Sequence, residues 1–114
     1  MSLSGIGVDI VEIKRFANTA KTIRSRFVSD VFTKDERAYC SAYRDSATHF
    51  AGTFAAKEAA CKAFGGKYIL TSFEIRRRKD GKPEVWRNRK KLRLALSISH
   101  EGKYAVAVCI ASYV

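Results

Sequence analysis

Residues 47–66 read ATHFAGTFAAKEAACKAFGG, and the fold turns on how this stretch is read. Its small and helix-favouring residues predict a helix from about Ala47 to Phe64, closed by Gly65-Gly66, which can take the left-handed conformation that helix ends favour. At about 100° per residue, Phe50, Phe54, Cys61 and Phe64 gather on one side, the expected core face. Glu58 and Lys62 fall at the edge of that stripe, one turn apart. Ala51, Ala55 and Ala59 lie beside them and leave room for something to approach the helix. An ordinary Glu–Lys pair at this spacing stabilises a helix by ~0.2–0.5 kcal/mol. The alanines are the feature that favours a site instead.

Working towards the N-terminus, Thr33-Lys34-Asp35-Glu36 matches a capping box and predicts a helix from about Lys34 to Tyr43, broken at Arg44-Asp45-Ser46. Earlier, Ile13, Phe16, Ala17 and Ala20 recur at helical intervals, with Lys14, Arg15 and Lys21 opposite and Arg24 and Arg26 following. This predicts a basic amphipathic helix. Residues 5–11 alternate as a strand, with Ile6, Val8 and Ile10 on one face and Asp9 on the other. Towards the C-terminus, 73–76 and 83–86 read as strands about the Asp80-Gly81 turn. Arg89-Lys90-Lys91 reads as a basic connector. Residues 92–98 and 104–110 read as an antiparallel hairpin, buried on both faces, about a turn at His100-Glu101-Gly102-Lys103. The order is a short N-terminal strand, three helices, then an antiparallel sheet: an α+β fold, one domain over 1–114.

Composition narrows the class. The 114 residues are 46% apolar and 29% charged, as in a folded soluble chain. No apolar run approaches the ~20 residues of a membrane span, and no secretory signal is evident. Cys40, Cys61 and Cys109 are an odd set without a CxxC pair, which argues for reduced thiols in a cytoplasm and against zinc. Cys61 and Cys109 read as small core residues. The net charge of +11, from 22 basic and 11 acidic residues, favours encounter with polyanions but does not choose among nucleic acid, an acidic protein and a phosphorylated small molecule.

Two carboxylates stand out. Asp9 sits inside an apolar strand and Glu58 inside a small-residue helix, and an unpaired carboxylate in such a setting is costly. If the two converge, they suit a hard divalent cation. Magnesium keeps several waters and takes its other oxygens from phosphates. Lys62 could then offset charge on a departing phosphate. The alternative for Asp9 is a cap or an ion pair. His100 reads either as a turn cap or as a phosphate or nucleotide contact. His49 reads as a helix-start residue that could face the same cleft. Gly5-Ile6-Gly7 lacks the remaining glycine spacing of a dinucleotide loop, and no Ser/His/Asp or Cys/His arrangement is persuasive.

Three stretches together resemble the small bacterial 4'-phosphopantetheinyl transferases of the holo-acyl-carrier-protein synthase type: GIGVDIVEIKRF at 5–16, FAGTFAAKEAACKAFG at 50–65 and SISHEGKYAVA at 97–107. FEIRRRKDGKPEV at 73–85 resembles the strands between them. The block FAAKEAACKAFG, some forty residues after GIGVDIVEI, is the specific part. The resemblance implies transfer of phosphopantetheine from coenzyme A to a serine of apo-acyl carrier protein, in fatty acid biosynthesis, releasing adenosine 3',5'-bisphosphate. It implies magnesium on Asp9 and Glu58. Glu58, directly or through a metal-bound water, would take the serine proton, and Lys62 would stabilise or protonate the leaving phosphate.

The same resemblance places Lys62, Gly65, Ser99, His100 and the Gly81-Lys82-Pro83 turn near coenzyme A. It makes Arg44 and His49 basic contacts, and Arg15, Arg24 and Arg26 the seat of the acidic carrier protein. It implies a homotrimer with active sites at subunit interfaces, and no nucleic-acid or membrane partner. One departure is Thr53, where the family often carries Arg, so that a phosphate contact shifts to Arg44 or His49. A second is the heavy charge of Arg76-Arg77-Arg78-Lys79. A basic nucleic-acid module is the competing class, but no aromatics are interleaved with its cations. A scaffold that has lost activity is disfavoured because Asp9, Glu58 and Lys62 occur together.

Overall fold

The computed structural model describes residues 2–65 and 69–113. The predicted long helix is α3 (Ser46–Ala63). It lies on one face of an antiparallel sheet ordered β1 (Ser2–Glu12), β6 (Tyr104–Tyr113), β5 (Leu94–Glu101). Gly65, just past its end, has φ +108°, the left-handed geometry expected there; Gly66 lies outside the described residues.

What the alanines of α3 admit is the sheet itself. Ala51, Ala55 and Ala59 are fully buried. A methyl group added at Gly7 would lie 2.0 Å from the Ala59 carbonyl oxygen, and one at Gly5 2.0 Å from that of Ala63. Glycine on β1 and alanine on α3 thus allow two backbones to touch. The inner face of β1 is Gly5, Gly7, Asp9 and Val11, and its partners on β6 are Ala111, Cys109, Ala107 and Ala105.

The larger aliphatics point the other way. Ile6, Val8 and Ile10 are 66%, 57% and 65% exposed. Beside them on β6 stand Ile110, Val108 and Val106, and beyond those on β5 Ala95, Ser97 and Ser99. Burial of the last hairpin on both faces is therefore not met: among the described residues no element covers the outer face beside β1. Period 2 in the sequence reports alternation but not which set turns inward.

The first predicted helix is also corrected. Ile13–Phe16 form a single 3-10 turn, and residues 17–24 continue as turns. The amides of Ala17, Thr19 and Lys21 each donate to a carbonyl three residues back. The Thr22 hydroxyl donates to the carbonyls of Asn18 and Thr19. A threonine hydroxyl bonded to carbonyls three and four residues back competes with helical bonding in this way. The first true helix, α1 (Arg26–Val31), begins later, capped by the Ser25 hydroxyl accepting from the Val28 amide. The second, α2 (Lys34–Ser41), has the predicted capping box of Thr33 and Glu36. Phe16 packs on Phe54 at 5.3 Å and Phe32 on Phe50 at 5.1 Å between ring centroids, joining this segment to α3.

Among the described residues the C-terminal strands divide between two sheets rather than forming one. β2 (Glu74–Arg77), β3 (Pro83–Arg87) and β4 (Lys90–Lys91) form the second. The basic connector is thus partly a strand. Asn88 and Arg89 have φ of 51° and 64°, as both central residues of a tight type I' hairpin require. An Asn-Arg pair signals that turn more weakly than Asn-Gly. His100 and Glu101 belong to β5, and the turn proper is Gly102-Lys103.

Candidate active site

Asp9 and α3 meet because β1 lies flush against the helix. Lys62 Nζ donates to the Val8 carbonyl at 2.9 Å and stands 3.4 Å from Asp9 Oδ1. The lysine therefore reaches across to β1 rather than pairing with Glu58 one turn back. Glu58, half-buried, makes no ion pair or hydrogen bond among the described residues. Burial raises its pKa above the ordinary carboxylate range, and the negative charge of Asp9 adds to that rise, while Lys62 and Arg15 oppose it. A raised carboxylate beside a second carboxylate is a site short of positive charge.

That donor set bears on a metal. Among the described residues no group of three or more His, Cys, Asp or Glu side chains gathers. Two carboxylates without a third ligand suit magnesium, which draws its remaining oxygens from water and substrate phosphates.

Arg15, read as a carrier-protein contact, is exposed, with its guanidinium 5.3 Å from the centre of the Phe54 ring, and its charge reaches Glu58. Arg24 and Arg26 are exposed on the turns and first residue that lead into α1, Arg26 4.0 Å from Asp30.

The other predicted residues do not join this cluster. His49 and Glu58 are nine residues apart on α3, about 13 Å along the axis and on opposite sides of it. His49 is held by Asp45, 3.3 Å from its carboxylate, and stacks on Tyr43 at 3.7 Å. Arg44 is exposed just ahead of α3. Ser99 and His100 lie on β5, separated from β1 by β6, and are exposed. Pro83 opens β3 in the second sheet and lines a groove of about 760 Å3 with Lys82, Lys91, Arg93, Val108 and Ile110. That groove contains none of Asp9, Glu58 and Lys62. Gly65, at the end of α3, stays on the Lys62 side. One chain thus carries two separated groups of predicted residues.

Sequence reasoning passed over Lys57, the neighbour of Glu58. Its side chain is fully buried and donates to Glu36 at 2.6 Å and to the Phe73 carbonyl at 2.8 Å. Glu36 also accepts from the amides of Thr33 and Ile75. The capping box already accounted for Glu36, and no local spacing links positions 36 and 57.

The family model of the 4'-phosphopantetheinyl transferase superfamily matches residues 5–109. A holo-[acyl-carrier-protein] synthase of Syntrophotalea carbinolica is 37% identical over 95% of this chain and 94% of its own length. Among solved structures, a holo-(acyl-carrier-protein) synthase from Bacillus anthracis in complex with CoA (3',5'-ADP) superposes with a TM-score of 0.78 at 30% identity, covering 96% of this chain and 98% of that one. The Helicobacter pylori synthase in complex with coenzyme A gives 0.78 at 27% identity, covering 94% and 99%.

Proposed function

The chain belongs to the holo-[acyl-carrier-protein] synthases of the 4'-phosphopantetheinyl transferase superfamily, and on that premise we propose that it transfers the 4'-phosphopantetheine of coenzyme A to a serine of apo-acyl carrier protein in fatty acid biosynthesis. The observation that carries this reading is the meeting of Asp9, Glu58 and Lys62 where β1 touches α3.

In this reading Asp9 and Glu58 hold magnesium, which supplies charge neutralisation to the pyrophosphate. Glu58, directly or through a water, takes the proton of the serine hydroxyl. The serine oxygen bonds to the phosphorus bearing pantetheine, and the bond from that phosphorus to the bridging oxygen breaks. Adenosine 3',5'-bisphosphate leaves, its new negative charge met by Lys62. Arg15, Arg24 and Arg26 receive the acidic carrier protein, and Arg15 stands nearest the carboxylates.

The working unit in this reading is a homotrimer with each site completed across an interface. Two observations support it. The outer face of β1 presents Ile6, Val8 and Ile10 to solvent, an apolar stripe that a monomer has no reason to expose. Arg44, His49, Pro83, Ser99 and His100 stand away from Asp9 and Glu58, as expected if a neighbouring copy brings them to coenzyme A. No helix among the described residues is long and apolar enough to cross a membrane, and Cys40, Cys61 and Cys109 are buried, in keeping with a reducing cytoplasm.

The test is the intact mass of apo-acyl carrier protein after incubation with the chain, magnesium and coenzyme A. A gain of one phosphopantetheine group, lost on chelation of the metal, is expected. An unchanged mass, with a carrier protein that an authentic synthase does modify, would overturn the reading.

A further inference from the structure

The run Arg76-Arg77-Arg78 is charge-paired at two of its three positions. Arg76 Nε donates to Glu74 at 2.7 Å and its guanidinium lies over Trp86. Arg78 donates to Asp80 at 2.9 Å. Arg77 alternates to the other face of β2, the one that carries buried Ile75 towards the helices. It is half-buried there, and it meets no carboxylate among the described residues. The nearby acid, Glu36, is already taken by Lys57.

What holds Arg77 is neutral. Its Nη2 donates to the Thr53 hydroxyl at 3.3 Å, and its guanidinium lies 4.7 Å from the centre of the Tyr39 ring. Tyr39 in turn packs edge-on against Tyr43 and His49, and its hydroxyl accepts from that of Tyr43. The Tyr39 hydroxyl hydrogen is therefore left to donate elsewhere. His49 sits one turn before Thr53 on α3, braced by Asp45 and by its stack on Tyr43. The result is a rigid guanidinium with further donors beside it and one acid, Asp45, committed to the histidine. A guanidinium offers paired donors matched to phosphate oxygens, and one fixed by an aromatic face and a hydroxyl loses little entropy on binding.

We propose that Arg77, seated on Thr53 and Tyr39, is a phosphate-binding residue of the coenzyme A site, with His49 beside it. This rests on the reading of the chain as a coenzyme A-dependent transferase and adds a residue to it. Thr53 then has a definite part: fully buried itself, it tethers the arginine that meets the ligand.

The experiment compares wild type with Arg77→Gln and Arg77→Lys, using coenzyme A and 3'-dephospho-coenzyme A. Glutamine can still donate to Thr53, and lysine keeps the charge, so if one variant does not fold the other gives the same reading. Loss of a charge-assisted contact should raise the Michaelis constant for coenzyme A roughly tenfold or more. The turnover number and the Michaelis constant for carrier protein should stay near wild type, and lysine should recover part of the loss. If the effect shrinks with 3'-dephospho-coenzyme A, Arg77 holds the 3'-phosphate; if it persists, Arg77 holds the pyrophosphate. Constants for coenzyme A within about twofold of wild type in the folded variants would overturn the assignment while leaving the transferase reading intact. A wild-type chain that neither turns over nor binds coenzyme A by calorimetry would remove both.

Discussion

Lys57 Nζ lies 2.6 Å from Glu36 Oε1, and neither side chain reaches solvent. The pair ties α3 to the first turn of α2, and through the Phe73 carbonyl and the Ile75 amide to the start of β2. Burial pushes Glu36 above and Lys57 below their ordinary ranges, each restrained by the other's charge. Removing one partner strands a charge in the core, so Lys57→Met or Glu36→Gln alone should cost about 3–5 kcal/mol. The double variant should recover most of that loss. Denaturant unfolding of the three variants checks this; additive losses would show that the two residues do not act as a pair.

Glu58 should trade stability for function. Its raised pKa means that its favourable contribution to folding is present below the unfolded carboxylate value, and is lost as pH rises through the folded one. At pH 7 the ionised group therefore opposes folding. Glu58→Gln should raise the melting temperature of the metal-free protein at pH 7, by an amount that fades towards about pH 4. The same substitution should abolish transfer, as should Asp9→Ala. Thermal melts across pH, with and without magnesium, are the measurement. A lower melting temperature for Glu58→Gln at pH 7 would contradict the assigned shift.

Gly7→Ala should be the most disruptive small change in β1. Its methyl group would meet the Ala59 backbone oxygen at 2.0 Å, and helix and strand would have to part. Overpacking of this kind costs roughly 1–3 kcal/mol. Because the same contact brings Asp9 to Lys62, the turnover number should fall even in the molecules that remain folded. Unfolding curves and a single-turnover assay separate the two effects.

Val8→Glu changes a side chain that is 57% exposed in the single chain. A monomer should tolerate it. A trimer joined through this face should dissociate, and transfer should be lost with assembly. Light scattering coupled to size-exclusion chromatography reads the mass directly.

Arg15→Glu should raise the Michaelis constant for carrier protein, an effect that weakens at high salt because exposed charges are screened. Arg15 also opposes the rise in the Glu58 pKa. The reversal should therefore shift the acid limb of the pH–rate profile upward, which Arg24→Glu should not do.

Much of the architecture was legible in local pattern. The capping box at Thr33 and Glu36, the span of α3 and the alternation of the last two strands all rest on neighbours in sequence. Asp9 and Glu58 stood out because each is a carboxylate in an apolar segment. In place of the helix expected from Ile13 the chain runs on in turns, where the Thr22 hydroxyl donates to the Asn18 and Thr19 carbonyls. The inward face of β1 was misleading for a different reason: its glycines are silent on a hydropathy scale, while the aliphatics that carry the pattern face out.

The sequence by itself determined most of the elements, because capping, turn chemistry and periodicity act within a few residues. It also singled out Asp9, Glu58 and Lys62 as candidates for the chemistry. Only the tertiary structure decided what those residues meet. Lys62 reaches Asp9 rather than Glu58, Lys57 is spent on Glu36, and Arg77 lies over Thr53 without a carboxylate. These pairings join positions 21 to 53 residues apart, and burial, not spacing along the chain, sets which charges must find one another.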